Sequence, residues 1–141
     1  MCIISERLSL GKNKLPDYKL KQKLLYVDNT KADVLKSYGD LFYDKGYISD
    51  ALDFYKKAGD MEGLEKIKSV AFESGDVMLF EFAAKALDIE LSPSDWKSIG
   101  QKAAGLKKYT FAKHALEKAD DQEGLNSIKK IMETENSGKE V

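Results

Sequence analysis

The chain has one histidine, His114, and one cysteine, Cys2, more than a hundred residues apart. A zinc site draws on about four His or Cys ligands, and a Cys–His or Ser–His–Asp catalyst needs a base and an orienting group around its nucleophile. Neither set is present, so no metal centre, no cofactor and no enzymatic activity are expected. The "GKNK" stretch at 11–14 follows no strand pattern and lacks P-loop spacing. Three acidic residues fall within "ADDQEG", 119–124, where a helix begins. They are expected to satisfy exposed amides and the positive end of the helix dipole. His114 reads as a partly exposed surface residue and Trp96 as core packing.

Charge restricts the partners. The 23 basic and 24 acidic residues leave no net field to attract nucleic acid or an anionic membrane. Up to Lys31, however, seven basic residues face three acidic ones. Nucleic-acid binding through Lys12, Lys14, Lys19, Lys21 and Lys23 is therefore a weaker alternative, a solvated helix face being the commoner meaning of such a run. No run of about 18 apolar residues could span a membrane. A single cysteine cannot form an internal disulfide, and "MCIISERLSLGK" lacks the apolar block of a signal peptide, so a cytoplasmic location is expected.

The elements that would carry any binding surface are helical. Two prolines, few β-branched residues and abundant Lys, Glu, Leu and Ala favour an all-α chain. Turn signals divide it into eight helices. Pro16 is placed at the first turn of a helix running to about Tyr26, and Thr30 at the N-cap of a second, which carries Val34, Leu35, Tyr38, Leu41 and Phe42 and stops at Gly46. Gly59–Asp60 and Gly75–Asp76 act as paired stop and start signals around the third and fourth helices. The fifth helix, Val77 to about Asp88, is apolar on most sides and is expected to be the most buried. Ser92 and Pro93 open the sixth, the seventh runs from about Lys108 to Ala119, and Asp120 or Asp121 opens the eighth. Beyond Glu133 no apolar face remains and fraying is expected. Residues 1–15 and 136–141 are expected to be flexible segments around one helical-repeat domain, 16–135. Loops of two to five residues make neighbouring helices antiparallel.

Shifting the chain by 61 residues superposes Leu35, Tyr38, Gly39, Ala51, Tyr55, Ala58, Gly63 and Leu64 on Trp96, Ile99, Gly100, Ala112, Leu116, Ala119, Gly124 and Leu125. Such a step suits two stacked helix pairs. At these residues the chain resembles the tetratricopeptide repeat, with "LKSYGDLF" and "ALDFYKKA" in one copy and "WKSIGQKA" and "AKHALEKA" in the other. Twelve residues separate Gly39 from Ala51 and Gly100 from Ala112, as in that family's pattern, while Gly63 stands where the pattern has proline. The small residues are expected to mark close backbone crossings, Gly39 against Ala51 and Gly100 against Ala112, with the aromatics filling space beside them. The middle hairpin departs from the pattern: a turn at "SGD" puts Lys68 and Phe80 at the small-residue places, whereas Ala71 and Ala83 keep the step only if the turn comes earlier.

The resemblance implies a right-handed superhelix of antiparallel helix hairpins, a TPR-like α-solenoid. It further implies a non-enzymatic module that binds a protein or peptide partner on a concave face lined by the first helix of each hairpin. Groove-facing residues would include Asp33, Lys36, Asp40, Tyr43, Lys97 and Gln101. Of the lysine and asparagine clamp that some members use for a C-terminal carboxylate, Lys36 and Lys97 are in place, but Asp40 stands where asparagine belongs. The alternative is a structural scaffold or self-associating subunit, a homo-oligomer, packing through the fifth or eighth helix.

Overall fold

A computed structural model describes the backbone of residues 15–139 and the side chains of 15–135. Among these residues the chain contains eight α-helices and no β-strand: α1 (Tyr18–Gln22), continued by a π-helical turn at Lys23–Val27, α2 (Ala32–Asp44), α3 (Ile48–Ala58), α4 (Met61–Ser74), α5 (Val77–Ala86), α6 (Pro93–Gly105), α7 (Tyr109–Lys118) and α8 (Gln122–Lys139). The all-α reading holds, with the number of helices expected. Internal packing gathers the chain into two compact units, one ending at Glu65 and the other beginning at Lys66, so that the division falls within α4. In the first, α2 lies along α3; in the second, α6 lies along α7, and α7 also packs on α5 and α8. Of the two segments expected to be flexible, residues 1–14 and the side chains beyond 135 lie outside the described residues.

Six consecutive helices, α2 to α7, end in the same way. The amide two residues past the last full turn closes a six-residue loop, as in Tyr47 N to Phe42 O at 2.9 Å, Asp60 N to Tyr55 O at 3.0 Å and Asp76 N to Ala71 O at 2.9 Å. Ile89, Lys108 and Asp121 repeat it onto Ala84, Ala103 and Leu116. This closure, the Schellman motif, requires a left-handed residue just before the donor. Glycine supplies it at 46, 59 and 75, as the turn signals predict, but Asp88, Lys107 and Asp120 adopt φ of 58°, 63° and 55°. Lys107 and Asp120 are the 61-residue counterparts of Gly46 and Gly59, so the second copy has kept the backbone and lost the glycine. Lys107 is exposed and an L side chain at this φ is disfavoured, so Lys107→Gly is expected to raise stability by about 1 kcal/mol. A urea-denaturation midpoint unchanged or lowered by that substitution would contradict the expectation; Asp88→Gly and Asp120→Gly should gain less, because aspartate tolerates this region better.

Helix starts follow the sequence where a short polar side chain can reach the orphan amides. Asp76 accepts from Leu79 N at 3.1 Å, Asp121 from Gly124 N at 3.1 Å, and Ser92 forms a reciprocal capping box with Asp95. The backbone amide and hydroxyl of Ser92 hold the Asp95 carboxyl below its usual range. Two expected starts are corrected. Pro16 precedes the first helix, because Asp17 is its N-cap and accepts from Leu20 N at 2.8 Å. Thr30 does not cap α2: its hydroxyl donates to Leu24 O at 3.2 Å across the π-helical turn, and Lys31 occupies the cap position without a side-chain bond. At the other end, α8 runs on past Glu133 to Lys139, where fraying was expected. Each further residue there closes one more backbone bond, an easy step once a helix exists.

The small residues serve a purpose different from the one expected of them. Gly39, Ala51, Gly100 and Ala112 are all buried, yet the group pressed against Gly39 is the ring of Tyr55, four residues past Ala51. A Cβ at Gly39 would lie 2.7 Å from Tyr55 Cε1, and one at Gly63 would lie 2.7 Å from Tyr55 Cγ. The ring is thus clasped between glycines of α2 and α4. The second copy repeats this with Leu116, which a Cβ at Gly100 would meet at 3.0 Å and one at Gly124 at 3.3 Å. In the two repeated hairpins the groups nearest these glycines are thus the Tyr55 ring and the Leu116 side chain, with the Ala115 methyl also 3.2 Å from a Cβ at Gly100. Gly63, at the place of the pattern's proline, is the other jaw of that clasp.

Around Tyr55 the core of the first unit is aromatic. Phe54 stacks on Phe42 with centroids 5.3 Å apart and lies 5.7 Å from Tyr38. Tyr47 is exposed and Tyr43 half-buried. In the middle hairpin α4 ends at Ser74 and Gly75 makes the turn, so Lys68 and Phe80 do occupy the small-residue places. They meet as a cation over a ring, Lys68 Nζ 5.6 Å from the Phe80 centroid. The expectation that α5 is buried nearly all round is corrected. Val77, Leu79, Phe80, Ala83 and Ala84 are buried, but Met78 and Phe82 are 39% and 47% exposed, because the packed neighbours of α5 leave one side of it uncovered.

Candidate functional site

The polar face of α2 is fixed by the burial of its opposite face, where Leu35, Tyr38, Gly39 and Phe42 point into the core. Asp33 and Lys36 are consequently exposed, Asp40 and Tyr43 half-buried. Asp33 is turned toward its own helix start, its carboxylate accepting from Val34 N at 3.0 Å. Lys36 Nζ stands 3.6 Å from Asp40 Oδ2, an (i, i+4) pair in which both side chains are about half exposed. At that exposure the pair contributes little to stability. The other carboxylate oxygen of Asp40, Oδ1, accepts a 2.6 Å hydrogen bond from the buried Tyr55 hydroxyl. The carboxylate standing at the asparagine place of the clamp pattern thus anchors the clasped ring. Lys97 and Gln101, the 61-residue counterparts of Lys36 and Asp40, are exposed on α6 in the second unit. There Leu116 replaces Tyr55 and Gln101 replaces Asp40, so the hydroxyl and its acceptor are lost together.

Burial, the hydrogen bond to Asp40 and the negative charges of Asp40, Asp60 and Asp44 all push the Tyr55 phenol well above its ordinary range. A raised pKa means that the fold favours the protonated form. Its contribution is complete below the unfolded value of about 10 and is lost as the pH rises above it. Stability is therefore expected to fall steeply on alkaline titration, with a slope that Tyr55→Phe reduces. Denaturation midpoints measured across that range with an identical slope for both proteins would contradict this.

At the N-terminal side of the first unit, Lys21 is mostly buried and pairs with Asp50 and, at 3.3 Å, with Asp53 of α3. Burial opposes its charge, but those carboxylates outweigh it and raise the pKa overall. One lysine of the basic segment is thus committed to holding α1 to α3. Lys19 and Lys23 are exposed, and Lys12 and Lys14 lie outside the described residues.

A second surface was not foreseen. In the second unit α5, α6, α7 and the loop after α5 line a cleft, open to solvent on one side, of about 300 Å³. Trp96, Ala84, Ile89 and Leu91 form its apolar part, and Glu81, Lys85, Glu90 and Lys118 its polar part. Trp96 is only half-buried and meets His114 edge-on, with centroids 5.9 Å apart. His114 is partly exposed, as expected, but its Nε2 is buried without a hydrogen-bond partner, 3.6 Å from Glu81 Oε2. Trp96, expected in the core, is instead half-buried at the cavity wall, a place that depends on a loop and two other helices that no local pattern connects. Among the described residues no three His, Cys, Asp or Glu side chains are placed to hold a metal ion, and no helix is long and apolar enough to cross a membrane.

No family model, curated protein or solved structure matches the chain.

Proposed function

We propose that this chain is a non-enzymatic protein-interaction module, a TPR-like stack of helix hairpins that holds a peptide or partner helix on the outward faces of the first helices. The supporting observation is that the internal repeat preserves two things together. One is the clasp, Gly39–Tyr55–Gly63 and Gly100–Leu116–Gly124, which fixes each hairpin. The other is an exposed lysine at the same register of the first helix, Lys36 and Lys97, followed by a hydrogen-bonding side chain one turn on, Asp40 and Gln101. In each unit the first-helix face carries the same exposed cation, which suits an acidic segment rather than a lone carboxylate, since Lys36 already shares its charge with Asp40. On this reading the groove residues are Asp33, Lys36, Asp40, Tyr43, Lys97 and Gln101, the protein is cytoplasmic, and the partner is a protein rather than nucleic acid or membrane.

The test is a peptide display selection on the full chain followed by titration calorimetry of the peptides recovered. Acidic peptides are expected, with affinity reduced about tenfold or more by Lys36→Glu combined with Lys97→Glu, equivalent to about 1.4 kcal/mol or more. No enrichment, or peptides indifferent to both substitutions, would contradict the proposal. Because the two lysines are exposed, the double variant should keep its helix content and thermal midpoint.

A further inference from the structure

The two copies of the first-helix face keep the lysine and differ in the charges around it. On α2, Asp33, Lys36, Asp40 and Asp44 follow one another at intervals of three, four and four residues, which places them along one side of the helix. Asp33, Lys36 and Asp44 are exposed and Asp40 is half-buried, so three carboxylates stand beside one ammonium group. The same positions of α6 hold Ser94, Lys97, Gln101 and Gly105, all exposed and none acidic. Lys36 pairs with Asp40 at 3.6 Å, whereas Lys97 makes no ion pair among the described residues. Asp40 is itself held in place, its other oxygen accepting the Tyr55 hydroxyl at 2.6 Å.

We propose that α6 rather than α2 captures the acidic residues of a partner, through Lys97, and that Asp40 is the specificity-determining residue that withholds Lys36 from them. This specialisation rests on the proposed peptide-binding function and names which copy of the face carries it. A carboxylate arriving at α2 must displace Asp40 from Lys36 and does so with Asp33 and Asp44 on the same face, close enough that salt screens their repulsion only in part. A carboxylate arriving at α6 meets an ammonium group with no carboxylate one turn to either side. One turn on, the Gln101 amide can donate a further hydrogen bond to it, which a carboxylate at the equivalent position 40 cannot do. The difference between the copies arises within each helix, from residues three and four positions from the lysine.

The experiment is titration of the full chain with a hexaglutamate peptide at low salt, followed through the backbone amide resonances, which read α2 and α6 separately. Amides around Lys97 are expected to respond with an affinity about threefold or more above those around Lys36, the factor that competition from an exposed ion pair imposes. Asp40→Asn removes the charge and keeps an acceptor for the Tyr55 hydroxyl; it should tighten the response of α2 about threefold and leave α6 unchanged. Gln101→Asp transfers the competition to the second copy and should weaken α6 by about the same factor while leaving α2 unchanged. Lys97→Glu should cost more affinity than Lys36→Glu. Because Gln101 is exposed and asparagine nearly matches aspartate in shape, circular dichroism should find both position-40 and position-101 variants folded. Equal affinities at the two helices, or tighter binding on α2, would overturn the specialisation and leave the peptide-binding function standing. Asp40→Asn or Gln101→Asp without the stated effect on its own helix would overturn it too. No response at either helix would overturn it together with the acidic partner.

Discussion

Tyr55→Ala is expected to lower the unfolding free energy by about 4 kcal/mol, the range for removing a large aromatic from a well-packed core. Tyr55 is fully buried and touches both jaws of the glycine clasp, so neither α2 nor α4 can close the space without moving its backbone. The aromatic neighbours Tyr38, Phe42 and Phe54 are held in stacked and tilted arrangements of their own and cannot swing in without giving those up. Tyr55→Phe separates packing from hydrogen bonding. It should cost only about 1 kcal/mol, because the half-exposed Asp40 carboxylate that loses its donor can turn to water. Equilibrium denaturation of both variants checks the pair: equal losses would mean that the hydroxyl, rather than the ring, dominates.

Gly63→Ala is expected to cost about 2 kcal/mol, as overpacking in a filled site does. The new methyl would meet Tyr55 Cγ and Cδ1 at 2.7 Å. That ring has little freedom to retreat, since Gly39 also lies against it, a Cβ there falling 2.7 Å from Cε1, and Asp40 holds its hydroxyl. The equivalent change in the second copy, Gly124→Ala, should cost under about 1 kcal/mol. At both positions the helix-start aspartate stands close, Asp60 Oδ2 at 2.7 Å and Asp121 Oδ2 at 2.6 Å, so the difference lies in the clasped group, Leu116 being no closer than 3.3 Å. The same substitution at the same repeat position thus has two different effects, and the cause is the residue clasped. In a Tyr55→Leu background the penalty of Gly63→Ala should shrink toward that of Gly124→Ala, a coupling a double-mutant cycle measures directly. Additive penalties would show that Gly63 is required for some reason other than the ring.

The sequence was legible wherever one residue type answers to one local requirement. Glycine at 46, 59 and 75, aspartate at 76 and 121, and Ser92 before Pro93 each satisfy orphan backbone groups by means a single side chain reveals. It was opaque where the requirement is met by an unsuitable residue. Asp88, Lys107 and Asp120 adopt left-handed backbone because the helix end dictates it, and only the 61-residue counterparts Gly46 and Gly59 hint at two of them. Thr30 looked like a cap and is not one, because the carbonyl of Leu24 left open by the π-helical turn competes for its hydroxyl.

The candidate surfaces divide in the same manner. Lys36 and Asp40 are four residues apart on one helix, so their pairing follows from the sequence alone. The small residues were recognised, but what they receive was not: Tyr55 and Leu116 lie one turn beyond the alanines, and which large group fills a gap is a tertiary fact. The Trp96 cavity drew on three helices and a loop with no shared period. The exposure of Met78 and Phe82 was hidden for a related reason, since an apolar helix reads as buried until its neighbours are known to cover only one side.

The central claim is that each of the two repeated hairpins, α2–α3 and α6–α7, is fixed by one large side chain held between two helix glycines. Nuclear Overhauser spectroscopy of the full chain tests it most directly. Strong cross-peaks from the Tyr55 ring protons to the Hα protons of both Gly39 and Gly63 are predicted, with those Hα signals displaced by the ring current, and matching cross-peaks from the Leu116 methyls to Gly100 and Gly124. Glycine Hα signals at undisplaced positions, with no cross-peak to either side chain, would contradict it.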